Sequence, residues 1–333
     1  MTATLPAPQA KDYASDQEVR WCPGCGDYAI LKAMQRALAE LGARPENTVF
    51  VSGIGCAARF PYYVATYGFH TIHGRAPAIA TGVKLANPAL DVWVIAGDGD
   101  ALSIGGNHTL HLLRRNVDLN FILFNNEIYG LTKGQYSPTS RKGTRSPSTP
   151  QGSVENPVSP CQFALGAGAR FVARAVDTQQ VPLVDVFKRA QGHRGASFVE
   201  IFQNCVVFND NVFGDFTEKD VAPERQLFVE HGKPLVFGAK KEHGLRLDPR
   251  RLTLEVVAAS ASDVLVHDER NRALAGLLAG LEPPDFPMAL GVLFCDPAPT
   301  YEAGVFAQVD AAAKEGAQDL AALLRRGPTW VVK

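Results

Sequence analysis

Two short turns carry most of the chemistry that residue type alone suggests. The first is Gly97-Asp98-Gly99-Asp100 and the second is Asn125-Asn126-Glu127; they follow the apolar runs Val92–Ala96 and Leu119–Phe124. Glycines at 97 and 99 let backbone approach a ligand closely, and amides opening the next helix favour anionic oxygens. A lone carboxylate, Asp98, and a neutral amide oxygen, Asn126, are hard donors that suit magnesium beside phosphate oxygens. Asp, Asn and Gly are also common turn residues, so either turn alone is equally well a plain β–α turn. The pair, one β–α–β unit apart, points to a metal-bridged diphosphate.

A second set is made of sulfur. The chain holds six cysteines, too few for a disulfide scaffold in 333 residues. Cys22 and Cys25 flank Pro23-Gly24, Cys56 closes the glycine-rich Gly53–Gly55 turn, and Cys205 lies just past an expected strand end. A CxxC alone fits a redox dithiol, half a zinc site or half an iron–sulfur site, and nothing upstream supplies the strand a thioredoxin-like reading needs. Taken together, four turn thiolates suit either a zinc ion or an iron–sulfur cluster. Most structural zinc sites use two close pairs, whereas two of these cysteines are isolated by long intervals; this leans towards a cluster and leaves zinc open. Cys161 and Cys295 have no partner at useful spacing and are expected to be structural.

The elements that position these residues follow from periodicity. Thr48–Ser52, Phe69–Ile72, Val92–Ala96, Leu119–Phe124, Phe171–Ala175 and Ser197–Phe202 read as strands. Asp27–Leu41, Ala76–Leu85, Ala101–Asn116, Gln162–Gly166 and Val181–Gln191 read as helices. This alternation predicts an α/β fold, a mostly parallel sheet with helices on both faces, whose ligand edge lies at the carboxyl ends of the strands. Residues 1–20 form an N-terminal arm, loosely held over Met1–Ser15, and residues 21–210 the ligand-binding domain. Residues 211–333 are a C-terminal extension with an interface role, in which Val264–Asp268 and Leu290–Cys295 suggest strands, and Arg272–Leu281 and Ala307–Leu324 helices. The stretch Tyr136–Pro160, rich in Ser, Thr, Pro, Gly and basic residues, is either a linker or a functional loop. Its Arg141, Lys142 and Arg145 are either solvated or contacts for coenzyme A phosphates or an acidic electron carrier.

Composition narrows the function classes. The chain is 46% apolar and 20% charged, with a formal net charge of −1. These values are ordinary for a globular protein and give no sign of a nucleic-acid or membrane surface. No apolar run reaches spanning length and no signal pattern opens the chain, so a cytoplasmic location is expected.

GDG followed by NN resembles the diphosphate-binding signature of thiamine-diphosphate enzymes. That resemblance implies that Asp98 and Asn126 hold Mg2+, with the backbone carbonyl of Ile128 as a further ligand. WCPGCGDYA, SGIGC, HGRAPAIATGVKLANP, GDGD, NNEIYGLTKGQ and QNCVVFN occur in order from Trp21 to Asn209. Together they resemble the β subunits of 2-oxoacid:ferredoxin oxidoreductases, nearest the 2-oxoglutarate branch. The resemblance implies one [4Fe–4S] cluster on Cys22, Cys25, Cys56 and Cys205. It implies thiamine diphosphate against Ile54, Gly55, Cys56, Ala57, His73, Gly97, Gly99, Asp100, Asn126, Gly130, Leu131 and Thr132. Arg59 and Lys133 become candidate contacts to substrate or anionic groups. The implied activity is oxidative decarboxylation of a 2-oxoacid with coenzyme A and ferredoxin, or the reverse carboxylation. The glutamate that activates the cofactor is absent from the motifs, which implies an α subunit and an (αβ)2 assembly. A cluster-free thiamine decarboxylase or carboligase and a non-enzymatic four-thiolate zinc protein are the competing readings.

Overall fold

A strand that is covered on both faces must be apolar at every position, and that pattern places the sheet. The computed structural model describes residues 8–315, 319–328 and 330–332. Its strands are β1 (Thr48–Ser52), β2 (Tyr67–His70), β3 (Asp91–Gly97), β4 (Asn120–Asn125), the hairpin pair β5 (Ile128–Tyr129) and β6 (Gln135–Tyr136), β7 (Phe171–Val176) and β8 (Ser197–Phe202), followed by β9 (Gln226–Val229), β10 (Val236–Phe237), β11 (His243–Asp248), β12 (Thr253–Ala258) and β13 (Met288–Cys295). Eight of them form one sheet in the order β2-β1-β3-β4-β8-β7-β13-β9. The first six of these are mutually parallel, and β13 runs antiparallel to β7. Every residue of β1, β4, β7 and β8 is buried.

Alternation within β3 shows how both faces are filled. Val92, Val94 and Ala96 join the core beneath α2 (Ala76–Ala86), α4 (Gly106–Arg115), α5 (Pro160–Gly166) and α7 (Arg272–Ala279). Trp93 and Ile95 face the opposite core, against α1 (Asp27–Leu41) and α6 (Gln180–Gly192). The sheet is therefore sandwiched between helices, the α/β architecture that the alternation predicts.

Several expectations change in detail. The helix over Ala101–Asn116 is broken into α3 (Asp98–Leu102) and α4. A Cβ on Gly74 would lie 2.6 Å from the Gly105 nitrogen, so two glycine backbones meet where the helix breaks. The arm is not loose over its described part, because Tyr13 is fully buried and its hydroxyl donates to the Ala43 carbonyl. Residues 1–7 lie outside the described residues. Val264–Asp268 is not a strand; it makes an isolated bridge, Val266 to Pro234, whose missing N–H interrupts any ladder. The helix expected over Ala307–Leu324 starts earlier, as α8 (Tyr301–Glu315), and a short helix, Leu320–Leu324, follows; residues 316–318 are outside the description. Residues 211–333 supply β9 and β13 to the main sheet, and β10–β12 form a separate three-stranded sheet.

Candidate functional site

Because β1, β3, β4 and β8 are parallel, their carboxyl ends deliver Gly53–Cys56, Gly97–Asp100, Asn126–Ile128 and Gln203–Cys205 to one edge. A cleft of about 240 Å3 opens there. All twelve residues expected around the cofactor line it, together with Asp98, Ile128, Phe124 and Tyr129.

The cleft is held by side chains that point at its backbone. Asp100 Oδ1 accepts from His73 Nδ1 at 2.6 Å, Gly74 N–H at 2.8 Å and Ile54 N–H at 3.1 Å, tying three turns together. A hydrogen bond from Nδ1 to a carboxylate leaves His73 Nε2 as the free ring nitrogen. Gly53 and Gly99 are required by close approach. A Cβ on Gly53 would meet the Asp100 carboxylate at 2.0 Å, and one on Gly99 would meet the Tyr129 ring at 2.1 Å. The Tyr129 hydroxyl donates to the Gly99 carbonyl at 3.1 Å.

Asp98 is 2% exposed, and its Oδ2 accepts from the Ser137 and Thr139 hydroxyls at 2.5 and 2.6 Å. Burial pushes its carboxyl up to about 6, while the hydroxyls and the Gly99 amide pull it down. The groups that favour its charged form are hydroxyls and amides, none a cation. A buried carboxylate in that position fits a metal ion, which supplies the missing positive charge. Asn126 donates from Nδ2 to Gln203 Oε1 at 2.7 Å, and its Oδ1 accepts from Ile128 N–H at 3.2 Å.

A second cleft, about 130 Å3, is lined by Cys22, Cys25, Cys56 and Cys205 with Trp21, Arg20, Arg59 and Gln203. The sequence brings these segments in from three directions. Cys22 and Cys25 precede α1, Cys56 follows β1, and Cys205 follows β8. Trp21 Nε1–H donates to the Cys56 carbonyl at 2.8 Å, fastening the CxxC segment to the β1 turn. Gly130 closes the wall; a Cβ there would touch Cys205 Sγ at 3.5 Å and Cys56 Sγ at 3.7 Å. Burial, assisted by the Asp27 carboxylate, pushes the Cys56 thiol up to about 12 and raises Cys25 further. Both stay protonated until a cationic centre displaces the protons. The two clefts share Cys56, Asn126, Gly130 and Leu131 as a common wall.

Not every candidate reaches the cofactor cleft. Arg59 lines the cysteine cleft beside Arg20, and Lys133 sits exposed between β5 and β6, among the lining residues of neither cleft. Arg141 is tied inward, donating to the Val212 carbonyl at 2.8 Å and pairing with Glu127 and Asp215. Cys161 is fully buried with its thiol 3.1 Å from Glu200 Oε2, and Cys295 ends β13; neither lines the cysteine cleft. Sequence reasoning missed Ser137, Thr139, Tyr129 and Gln203. The hydroxyl run Ser137-Pro138-Thr139-Ser140 was the available signal, but in sequence it looks like a linker. A third cavity, about 360 Å3, shares no lining residue with the cofactor cleft, and its Arg174 is paired with Glu200 at 2.9 Å.

Comparison with known proteins adds the identity of the fold. The family model described as "Thiamine pyrophosphate enzyme, C-terminal TPP binding domain" matches residues 53–201. The chain is 51% identical to the 2-oxoglutarate oxidoreductase subunit KorB of Mycobacterium tuberculosis, over 99% of this chain and 90% of that one. It is 45% identical to the 2-oxoacid:ferredoxin oxidoreductase 2, subunit beta, of Aeropyrum pernix, over 63% of this chain and 68% of that one. Among solved structures it is similar to a 2-oxoglutarate:ferredoxin oxidoreductase from Magnetococcus marinus with 2-oxoglutarate, coenzyme A and succinyl-CoA bound. That match has a TM-score of 0.79 and 34% identity, and covers 98% of each chain. Sequence, fold and the thiamine-type strand edge agree: the chain belongs to the β subunits of the 2-oxoacid:ferredoxin oxidoreductases, in the branch of the 2-oxoglutarate enzymes.

Proposed function

We propose that this chain holds thiamine diphosphate, Mg2+ and one [4Fe–4S] cluster in adjacent clefts, and oxidises 2-oxoglutarate with coenzyme A together with an α subunit. The observation that carries this reading is the shared wall: Cys56, Asn126, Gly130 and Leu131 belong to both clefts. Electrons leaving substrate in one cleft need cross only that wall. Asp98, Asn126 and the Ile128 carbonyl are the magnesium ligands, and the Gly97–Asp100 turn receives the diphosphate. His73 presents Nε2 to the cofactor, and Cys22, Cys25, Cys56 and Cys205 ligate the cluster. When bound, these groups supply an electron-accepting ring for loss of carbon dioxide from the 2-oxoacid and a one-electron relay to ferredoxin.

The donor set also weighs against the competing readings. A tetrahedral zinc with Zn–S near 2.3 Å draws its four sulfurs to about 3.8 Å from one another. Among the described residues no three of these sulfurs lie within 4.8 Å of one another, wider than that zinc geometry. A cluster-free carboligase leaves four thiols around one cleft without a task.

The residues lining the cofactor cleft include no glutamate. The activating carboxylate therefore comes from an α subunit, in an (αβ)2 assembly whose contacts include residues 211–333. No helix among the described residues is long and apolar enough to cross a membrane, and the reading places the enzyme in the cytoplasm. The reaction can run in the carboxylating direction with reduced ferredoxin. Purified α and β chains, assayed separately and combined, test the reading. Ferredoxin reduction is expected only with both chains, 2-oxoglutarate and coenzyme A. Turnover by this chain alone, or turnover indifferent to coenzyme A, would overturn it.

A further inference from the structure

We propose that Gln203 is a positioning residue for both clefts at once, orienting the Asn126 amide towards the metal and tuning the cluster through Cys25. The inference rests on the assignment of magnesium and a cluster to these clefts and goes beyond it by linking the two.

Gln203 follows β8 and is 1% exposed, and its backbone N–H donates to the Asn125 carbonyl at 2.8 Å. Its side chain makes three contacts: Nε2 lies 2.7 Å from the Asn204 carbonyl and 3.3 Å from Cys25 Sγ, and Oε1 lies 2.7 Å from Asn126 Nδ2. A carbonyl oxygen only accepts, so the contact with Asn204 fixes which end of the Gln203 amide is nitrogen. Oε1 must then face Asn126, and only the Nδ2 end of that amide can donate to it. Asn126 Oδ1 is thereby turned the other way, where it accepts from Ile128 N–H and keeps a lone pair for a cation. The carbonyl of Asn204 thus sets the orientation of a proposed magnesium ligand through one intervening side chain.

The second amide proton of Gln203 points at Cys25 Sγ. A protonated thiol is a weak acceptor, but the same sulfur as a cluster ligand carries negative charge and accepts strongly. The sulfurs gain further charge when the cluster takes up an electron. An N–H donor therefore favours the reduced state and raises the potential, and burial strengthens the effect.

Two variants separate the functions in the assembled α–β enzyme. Gln203→Leu removes all three contacts. Gln203→Glu keeps an acceptor for Asn126 but loses the donors to Cys25 and to the Asn204 carbonyl and adds negative charge. Iron and sulfide content, cluster midpoint potential by redox-titrated electron paramagnetic resonance, and magnesium-dependent thiamine diphosphate affinity by calorimetry are measured for each. With iron and sulfide retained, the midpoint is expected to fall in Gln203→Leu and further in Gln203→Glu. Cofactor affinity should drop about 10-fold in Gln203→Leu and less in Gln203→Glu. Where Gln203→Leu does not retain the cluster, Gln203→Glu alone decides the cluster half of the inference. A cluster-loaded variant with the wild-type midpoint overturns that half, and equal affinity losses in both variants overturn the magnesium half. Wild-type enzyme without iron or sulfide would instead sink the cluster reading itself, and the inference with it.

Discussion

The cofactor cleft and the cysteine cleft share a wall yet are built in opposite ways. The first is assembled from turns at the ends of neighbouring strands, and its hard donors are already held by hydrogen bonds: two hydroxyls on Asp98, an amide on Asn126, three donors on Asp100. The second gathers segments as far apart as Cys22 and Cys205, and its thiols are held by burial that keeps Cys25 and Cys56 protonated. On the proposed assignment, the hard site would be preorganised before its ion arrives, and the soft site would become a ligand set only when a cationic centre ionises it. The two cofactors would then be held by different chemistry on either side of one shared wall, Cys56, Asn126, Gly130 and Leu131.

The strongest attempt to break that separation is substitution of single cysteines. Serine at 22, 25, 56 or 205 should remove most of the iron, because an alkoxide is a poor replacement for a soft thiolate. Serine at 161 or 295 should leave iron nearly unchanged. Iron and sulfide assays on the six variants check this, and equal iron in all six would dissolve the distinction between the two groups of cysteines.

Substitutions on the hard side should do the reverse. Asp98→Ala or Asn126→Ala is expected to abolish magnesium-dependent thiamine diphosphate binding and to leave iron content intact. Ser137→Ala or Thr139→Ala, acting through Asp98, should weaken binding by about 10–100-fold. Calorimetry with and without Mg2+ measures both; unchanged affinity in Asp98→Ala would reject the metal assignment.

The smallest expected effect is on stability. Burial pushes Asp27 and Glu127 up to about 7, well above the ordinary carboxylate range. An acid with a raised folded-state pKa stabilises the fold at low pH and loses that contribution as pH rises through the folded value. The metal-free chain should therefore melt higher at about pH 6.5 than at about pH 8. The Cys56 thiol, pushed up to about 12, stays protonated in the fold throughout that interval and adds to the difference only slightly, as the unfolded thiol begins to ionise near pH 8. Scanning calorimetry at the two pH values tests this, and a melting temperature that is flat or lower at pH 6.5 would contradict it.

Much of this arrangement was legible in the sequence because double burial writes itself as continuous apolar runs. β1, β3, β4, β7 and β8 fall within a residue of their expected bounds, and the glycine-rich turns at their ends are the turns of the cleft. What was not legible depends on distance in space. Ser137 and Thr139 look like linker residues until the loop folds back onto Asp98, 39 and 41 positions earlier. Gln203 shows no periodic signal, and its partners Asn126 and Cys25 lie 77 and 178 positions away. β13 was visible as an apolar run, but its antiparallel pairing with β7 was not, since no short connection joins them. Arg59 and Lys133 enter through the motif resemblance, and a basic position in a motif does not say which cleft its side chain lines.

The central claim is that four thiols in one cleft hold an iron–sulfur cluster against a thiamine diphosphate site on the same chain. Metal and sulfide analysis of the anaerobically purified protein tests it most directly. The account predicts about four iron and four sulfide per chain, with no stoichiometric zinc. One zinc per chain without sulfide, or neither iron nor zinc, would contradict it.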